Sequence, residues 1–258
     1  MDLKLDARQF LVGGASSGLG RAVAEALLDE GATVLAVARS EERLRELQAT
    51  APDRCRIVAA DITADEGLER ILGVARTLSL DGLVVNAGGP PVGEARSTGV
   101  TEWDTAYRSV FRWKAGLVNA LLPAMVDRGY GRILFIESQS VKQPIPGLAQ
   151  SNAMRAAVAG YAKTLATELA RSGITVNILA PGSHDTGALE RVIRSRAEAW
   201  GVDTSEARKR LAAAVPMGRF GRAEELASLV VWLLCGHAGY VTGQVVSHDG
   251  GNIAGLFG

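Results

Sequence analysis

"QFLVGGASSGLGRAVAEALLDEGATVLAVARS", residues 9–40, decides the fold. Apolar "FLV" at 10–12 runs into glycines, the glycines open onto a helical pattern, and "TVLAVA" at 33–38 follows as a second apolar run. Within the helical part Leu19, Ala22, Val23, Ala26 and Leu27 recur at spacings of three and four, which turns them to one face. Gly31 closes that stripe and suits a left-handed helix end. Strand, tight turn, helix and strand make one βαβ unit, the building block of a parallel sheet.

The same alternation continues through "CRIVAA" at 55–60, "GLVVNA" at 82–87, "RILFIES" at 132–138, "ITVNILA" at 174–180 and "QVVSH" at 244–248. Seven strands separated by helical segments predict an α/β, doubly wound (Rossmann) parallel sheet with helices on both faces, a single domain over residues 1–258. The alternation loosens once, at about 186–214. There "LERVIRSRAEAW" and "SEARKRLAAA" read as two helices inserted after the sixth strand, placed to cover a ligand at the strand ends.

Composition narrows the function classes. Lys plus Arg and Asp plus Glu each number 28, so no net field draws in nucleic acid or an anionic membrane surface. No apolar run is long enough for a membrane span, and the charged N-terminus does not read as a signal peptide. Cys55 and Cys235 stand far apart with no CxxC pattern or histidine cluster, which argues against a disulfide framework and against a metal site. A cytoplasmic protein acting on a small molecule is expected.

The glycine-rich turn states which molecule it takes. In "GGASSGLG", Gly14, Gly18 and Gly20 let the backbone turn sharply, approach a pyrophosphate and aim a positive helix end at it. The end of the second strand then distinguishes the two pyridine dinucleotides, because an acid there would bind a ribose and repel a 2′-phosphate. This chain has Ala38 and Arg39 instead, with the hydroxyls of Ser16 and Ser17 nearby. NADP(H) is the expected cofactor. The other reading of Arg39 is a solvated charge at the start of "RSEERLRE".

With these residues the chain resembles the short-chain dehydrogenase/reductase family over nearly its whole length. "GGASSGLG", with Leu19 inside it, is similar to the family's glycine turn. "AADI", with Asp61 and Ile62, is similar to its adenine-holding segment, and "VNAGG", with Asn86, Ala87 and Gly88, to its NNAG signature. Ser138 falls on the serine that holds the substrate carbonyl, and "APGSHDT", with Pro181, Gly182 and Thr186, resembles the P-G-x-x-x-T stretch flanking the nicotinamide. The resemblance implies an oxidoreductase that interconverts a ketone and a secondary alcohol by hydride transfer, as a homotetramer. The implied interfaces run along helices around 101–128 and 150–171 and near the C-terminus.

The departures fall on the chemistry. Thirteen residues after Ser138, where the family has a tyrosine, stands Ser151, and four further on, where it has a lysine, stands Arg155. Its asparagine position is Val110, with Asn119 further along the same helix. "SNAMR" resembles a divergent, 3-oxoacyl-acyl-carrier-protein-reductase-like branch in which S-N-x-x-R takes the place of Y-x-x-x-K, which adds an acyl thioester to the substrate classes. Ser151 and Arg155, four apart on a helix, share a face toward the cofactor. Arginine can hold ribose hydroxyls and stabilise an alkoxide but cannot relay a proton.

Three proton routes stay open: Lys142 on the loop after Ser138, whose other reading is a solvated lysine; His184, whose other reading is an exposed loop histidine; and an ordered water between Ser138 and Ser151. Glu137 is expected by strand alternation to point away from the substrate in a structural role. Leu189, Val192, Ile193 and Trp200 suggest a partly apolar substrate. A second functional class is an NADP-binding sensor or assembly subunit without turnover.

Overall fold

A computed structural model describes residues 1–90 and 92–256. Seven strands form one all-parallel sheet: β1 (Gln9–Gly13), β2 (Thr33–Ala38), β3 (Cys55–Ala59), β4 (Gly82–Val85), β5 (Gly131–Ile136), β6 (Ile174–Pro181) and β7 (Val245–His248). Their order across the sheet is β3-β2-β1-β4-β5-β6-β7. The chain therefore winds outward in one direction from β1 and in the other from β4. A crevice opens at the carboxyl ends of strands where the winding reverses.

The strands read as near-continuous apolar runs because helices cover both faces. On one side Phe10, Val12, Val34 and Leu134 pack beneath α1 (Gly18–Asp29), α2 (Glu41–Thr50) and α9 (Ala223–Leu234). On the other Leu11, Leu35, Leu83, Ile133, Phe135 and Val176 pack beneath α3 (Asp65–Ala75), α5 (Trp113–Arg128) and α6 (Ala149–Leu169). Phe10 and Leu11 point to opposite sides, as the period of two requires. Each such side chain, fully withdrawn from water, contributes about 1.5–3 kcal/mol of hydrophobic stabilisation.

Two features bear on the site. Between α4 (Val100–Ala106) and α5 the helix widens into a π segment, Tyr107–Arg112, a winding that recurs at functional sites. After β6, α7 (Gly187–Trp200) and α8 (Thr204–Ala213) pack on each other through Leu189, Ile193, Ala197 and Ala207. Leu189 and Ile193, expected to line a substrate, thus serve the contact between the two helices, while Val192 and Trp200 remain exposed.

Candidate functional site

The glycine turn is built as its sequence demands. Gly14 and Gly18 have φ of +68° and +55°, the left-handed region that side chains avoid. A Cβ on Gly20 would overlap the carbonyl oxygen of Gly14, so α1 starts hard against the end of β1. The Ser17 hydroxyl stands at the start of α1 without capping it, leaving it and the first N–H groups available to a phosphate. Asn86 donates through Nδ2 to the Gly13 carbonyl at 3.0 Å and ties the end of β4 to the turn.

Of the other expected residues, one touches this turn directly. Thr186 lies against Gly18, its Cβ 3.5 Å from where a Gly18 side chain would begin. Gly182 packs against Asp249, which leaves room for no side chain there. Arg39 is exposed at the carboxyl end of β2 with no ion pair or hydrogen bond among the described residues. Asp61 accepts from the Thr63 backbone N–H at 3.0 Å and hydroxyl at 2.7 Å. Partial burial works against its charge, but these bonds and the nearby Arg39 hold its carboxyl below the usual range.

Two of the substituted positions, Ser151 and Arg155, belong to a connected group. The retained Ser138 stands two residues past the end of β5, and its hydroxyl oxygen accepts the Ser140 backbone N–H at 3.1 Å. On α6, Arg155 donates its Nε–H to Ser151 Oγ at 3.0 Å and an Nη1–H to Glu137 Oε2 at 2.8 Å. Lys114, on α5, pairs with the other oxygen of Glu137. All four are nearly out of water: Lys114 is 4 % exposed, Glu137 5 %, Ser151 7 % and Arg155 8 %. The third edge of the guanidinium faces the loop after Asn86, with Nη2 3.1 Å from where a Gly89 side chain would begin.

Burial pushes the Lys114 ammonium below its ordinary range; Glu137 opposes that shift and Arg155 adds to it. Expected to turn away from the substrate, Glu137 instead follows β5 on the side of Ile133 and Phe135, where Arg155 arrives. The expected structural role is thereby extended, since Glu137 grips a candidate catalytic side chain.

Other candidates go elsewhere. Lys142 is half-buried, its backbone N–H donates to the Gln139 carbonyl at 3.0 Å, and its ammonium makes no ion pair or hydrogen bond among the described residues, Arg155's neighbours included. Asn119 is exposed and accepts from the Tyr161 hydroxyl at 2.8 Å. Val110 lies in the apolar core. His184 is buried, contrary to the exposed reading: Nδ1 faces the Gly182 carbonyl at 3.1 Å and Nε2 lies 2.8 Å from His248 Nδ1. Because a carbonyl can only accept, Nδ1 carries the proton and Nε2 accepts from His248. Both ring nitrogens are thus engaged. A cavity of about 390 Å³ opens beside this pair, lined also by Met217, Arg219 and Asp249, and its walls include neither Ser138 nor Ser151.

Sequence reasoning missed Lys114. Its signal was a lone lysine in the apolar stripe of Val110, Leu117, Val118 and Leu121, one turn beyond the replaced asparagine position.

Comparison with known proteins places this geometry. The model of a family described as "Enoyl-(Acyl carrier protein) reductase" matches residues 14–252. A "putative ketoacyl reductase" of Streptomyces coelicolor is 35 % identical over 259 aligned residues, covering 95 % of this chain and 97 % of that one. A 3-oxoacyl-[acyl-carrier-protein] reductase of Haemophilus influenzae is 32 % identical, covering 93 % and 96 %. Among solved structures, the L-sorbose reductase of Gluconobacter frateurii, complexed with NADPH and L-sorbose, superposes with a TM-score of 0.93 at 30 % identity, covering 99 % and 100 %. On its fold, its glycine turn and these matches, the chain belongs to the short-chain dehydrogenase/reductase family.

Proposed function

We propose that the chain is an NADP(H)-dependent oxidoreductase that interconverts a ketone, with 3-oxoacyl thioesters among the candidates, and a secondary alcohol. When bound, the dinucleotide supplies or accepts the hydride. Gly14, Gly18, Leu19 and Gly20 shape the turn for its pyrophosphate, Ser16, Ser17 and Arg39 receive the 2′-phosphate, and Asp61 and Ile62 border the adenine. Asn86, Ala87, Gly88, Pro181, Gly182 and Thr186 border the nicotinamide end. The fit rests on the left-handed glycines, on the uncapped start of α1 and on an arginine, unpaired among the described residues, at the β2 end where an acid would repel the extra phosphate.

One observation carries the chemistry: the hydroxyl oxygens of Ser138 and Ser151 each already accept an N–H, from Ser140 and Arg155, so each hydroxyl has its own proton left to donate. Ser138 holds the carbonyl oxygen. A water held between the Ser138 and Ser151 hydroxyls passes its proton to that oxygen as the alkoxide forms, with Ser151 as the donor to the water and bulk solvent restoring it. Arg155 stabilises the negative charge that develops there, with its free edge toward the ribose. Helices α7 and α8 close over the site as a lid, and the assembly is a cytoplasmic homotetramer.

The test is NADPH oxidation measured against a panel of ketones and 3-oxoacyl thioesters. Turnover of at least one, lost in Arg155→Met, supports the proposal. Tight NADPH binding with no turnover would favour a nucleotide-binding sensor or assembly subunit instead.

A further inference from the structure

Three charged side chains meet out of water where α5, β5 and α6 converge: Lys114, Glu137 and Arg155. The packing around them is apolar, with Val110, Trp113, Leu117, Phe135 and Val158 in the same core. Two cations and one carboxylate leave an excess positive charge there. Each buried ion costs several kcal/mol in desolvation, and aliphatic residues of similar size would pack such a space at lower free energy. Stability alone does not account for the cluster.

Its geometry does. A carboxylate has two oxygens, and each of those of Glu137 takes one cation. A guanidinium is a rigid planar fork, so fixing two of its edges fixes the third. Arg155 is held at Nη1 by Glu137 and at Nε by Ser151, which leaves Nη2 directed at Gly89. Lys114 is itself held, its Nζ lying 5.7 Å from the centre of the Trp113 ring as well as on Glu137.

We propose that Glu137 and Lys114 are positioning residues: Lys114 ties down one carboxylate oxygen so that the other locks Arg155 in the rotamer that serves Ser151 and faces the Gly89 loop. The effect on turnover rests on the ketoreductase reading above, whereas the locked rotamer does not. The charge pattern of the two residues separates positioning from mere neutralisation. Glu137→Asp keeps every charge but shortens the reach by one methylene, so one carboxylate can no longer span both cations. Lys114→Met leaves a charge-balanced Glu137–Arg155 pair that is free to swing.

The direct readout is the hydrogen exchange of the Arg155 Nε–H, followed by NMR in full-length protein labelled at arginine Nε and assigned by its change in Ser151→Ala. In the wild type this proton exchanges slowly because it is buried and donated. Both variants are expected to speed its exchange by about tenfold or more while remaining folded. In parallel kcat is expected to fall about tenfold or more with a smaller change in the KM for the ketone, as positioning for the transition state requires. Unchanged exchange and kcat in folded variants overturns the proposal. So does failure of both variants to fold, which marks the cluster as a structural brace. If the wild type turns over no ketone, the functional reading fails, while the exchange rates still decide whether Arg155 is locked.

Discussion

The Nε–H of Arg155 lies 3.0 Å from the hydroxyl oxygen of Ser151, one helical turn back along α6. A serine whose oxygen is fixed by a cation keeps its own proton for another partner, and the nearby positive charge eases loss of that proton. Ser151→Ala is therefore expected to lower kcat by about 10²-fold with little change in KM, the scale at which a positioned proton donor acts. Arg155→Lys keeps the charge but loses the fork, and an equal loss of kcat is expected from it. Steady-state kinetics of both variants checks this. Full activity in Arg155→Lys would show that charge alone matters.

Arg39 stands exposed at the β2 end with its guanidinium unpaired among the described residues. A charge-assisted contact to a phosphate is worth about 1.5–3 kcal/mol, so Arg39→Ala is expected to weaken NADPH binding at least about tenfold while leaving NADH binding nearly unchanged. Calorimetry with both dinucleotides measures the ratio. Equal losses for the two would assign the residue no part in the choice of cofactor.

The start of α1 leaves no space beside Gly14, whose carbonyl oxygen a Cβ on Gly20 would overlap. Gly20→Ala has to move backbone rather than a flexible side chain. The expected result is a loss of NADPH affinity beyond about tenfold, together with a lowered melting temperature, because turn and phosphate site are the same atoms. Wild-type affinity in this variant would separate the turn from the cofactor.

His184 supplies a pH effect whose sign follows from its surroundings. Burial lowers its pKa from the ordinary 6.5; the Gly182 carbonyl opposes the shift and His248 adds to it. As pH falls, the unfolded chain takes up the proton first. Stability from this residue is therefore complete above 6.5 and declines as pH drops from there toward the lowered folded value, by at most about 1.4 kcal/mol per pH unit. Protonation at Nε2 also sets two N–H groups against each other across the contact to His248. Thermal melts between about pH 7.5 and pH 5.5 are expected to show a fall that His184→Asn flattens.

The strands and the first βαβ unit were legible because a sheet covered on both faces has to be written in apolar runs, and because only glycine tolerates the backbone of Gly14 and Gly18. The shared face of Ser151 and Arg155 followed from helical spacing alone. Local rules did not reach the rest. Alternation alone turned Glu137 away from the substrate, because the partners that give it meaning, Lys114 and Arg155, arrive from α5 and α6, 23 and 18 residues away. For His184 both a proton donor and an exposed loop histidine stayed open, because its packing partner His248 comes 64 residues later. Leu189 and Ile193 read as substrate-facing because the sequence does not say that α8 folds back on α7. In each case tertiary packing chose among options that the neighbouring residues left open.

Whether Ser151 and Arg155 carry the reaction is decided by the single-turnover rate of NADPH oxidation in the wild type, Ser151→Ala and Arg155→Met, at saturating concentration of the best ketone from the panel. Hydride transfer is expected in the wild type, with a drop of about 10²-fold or more in each variant, since proton donor and cation are removed in turn. Equal rates in all three proteins would contradict it, because the chemistry would then be running on side chains other than this hydroxyl and guanidinium.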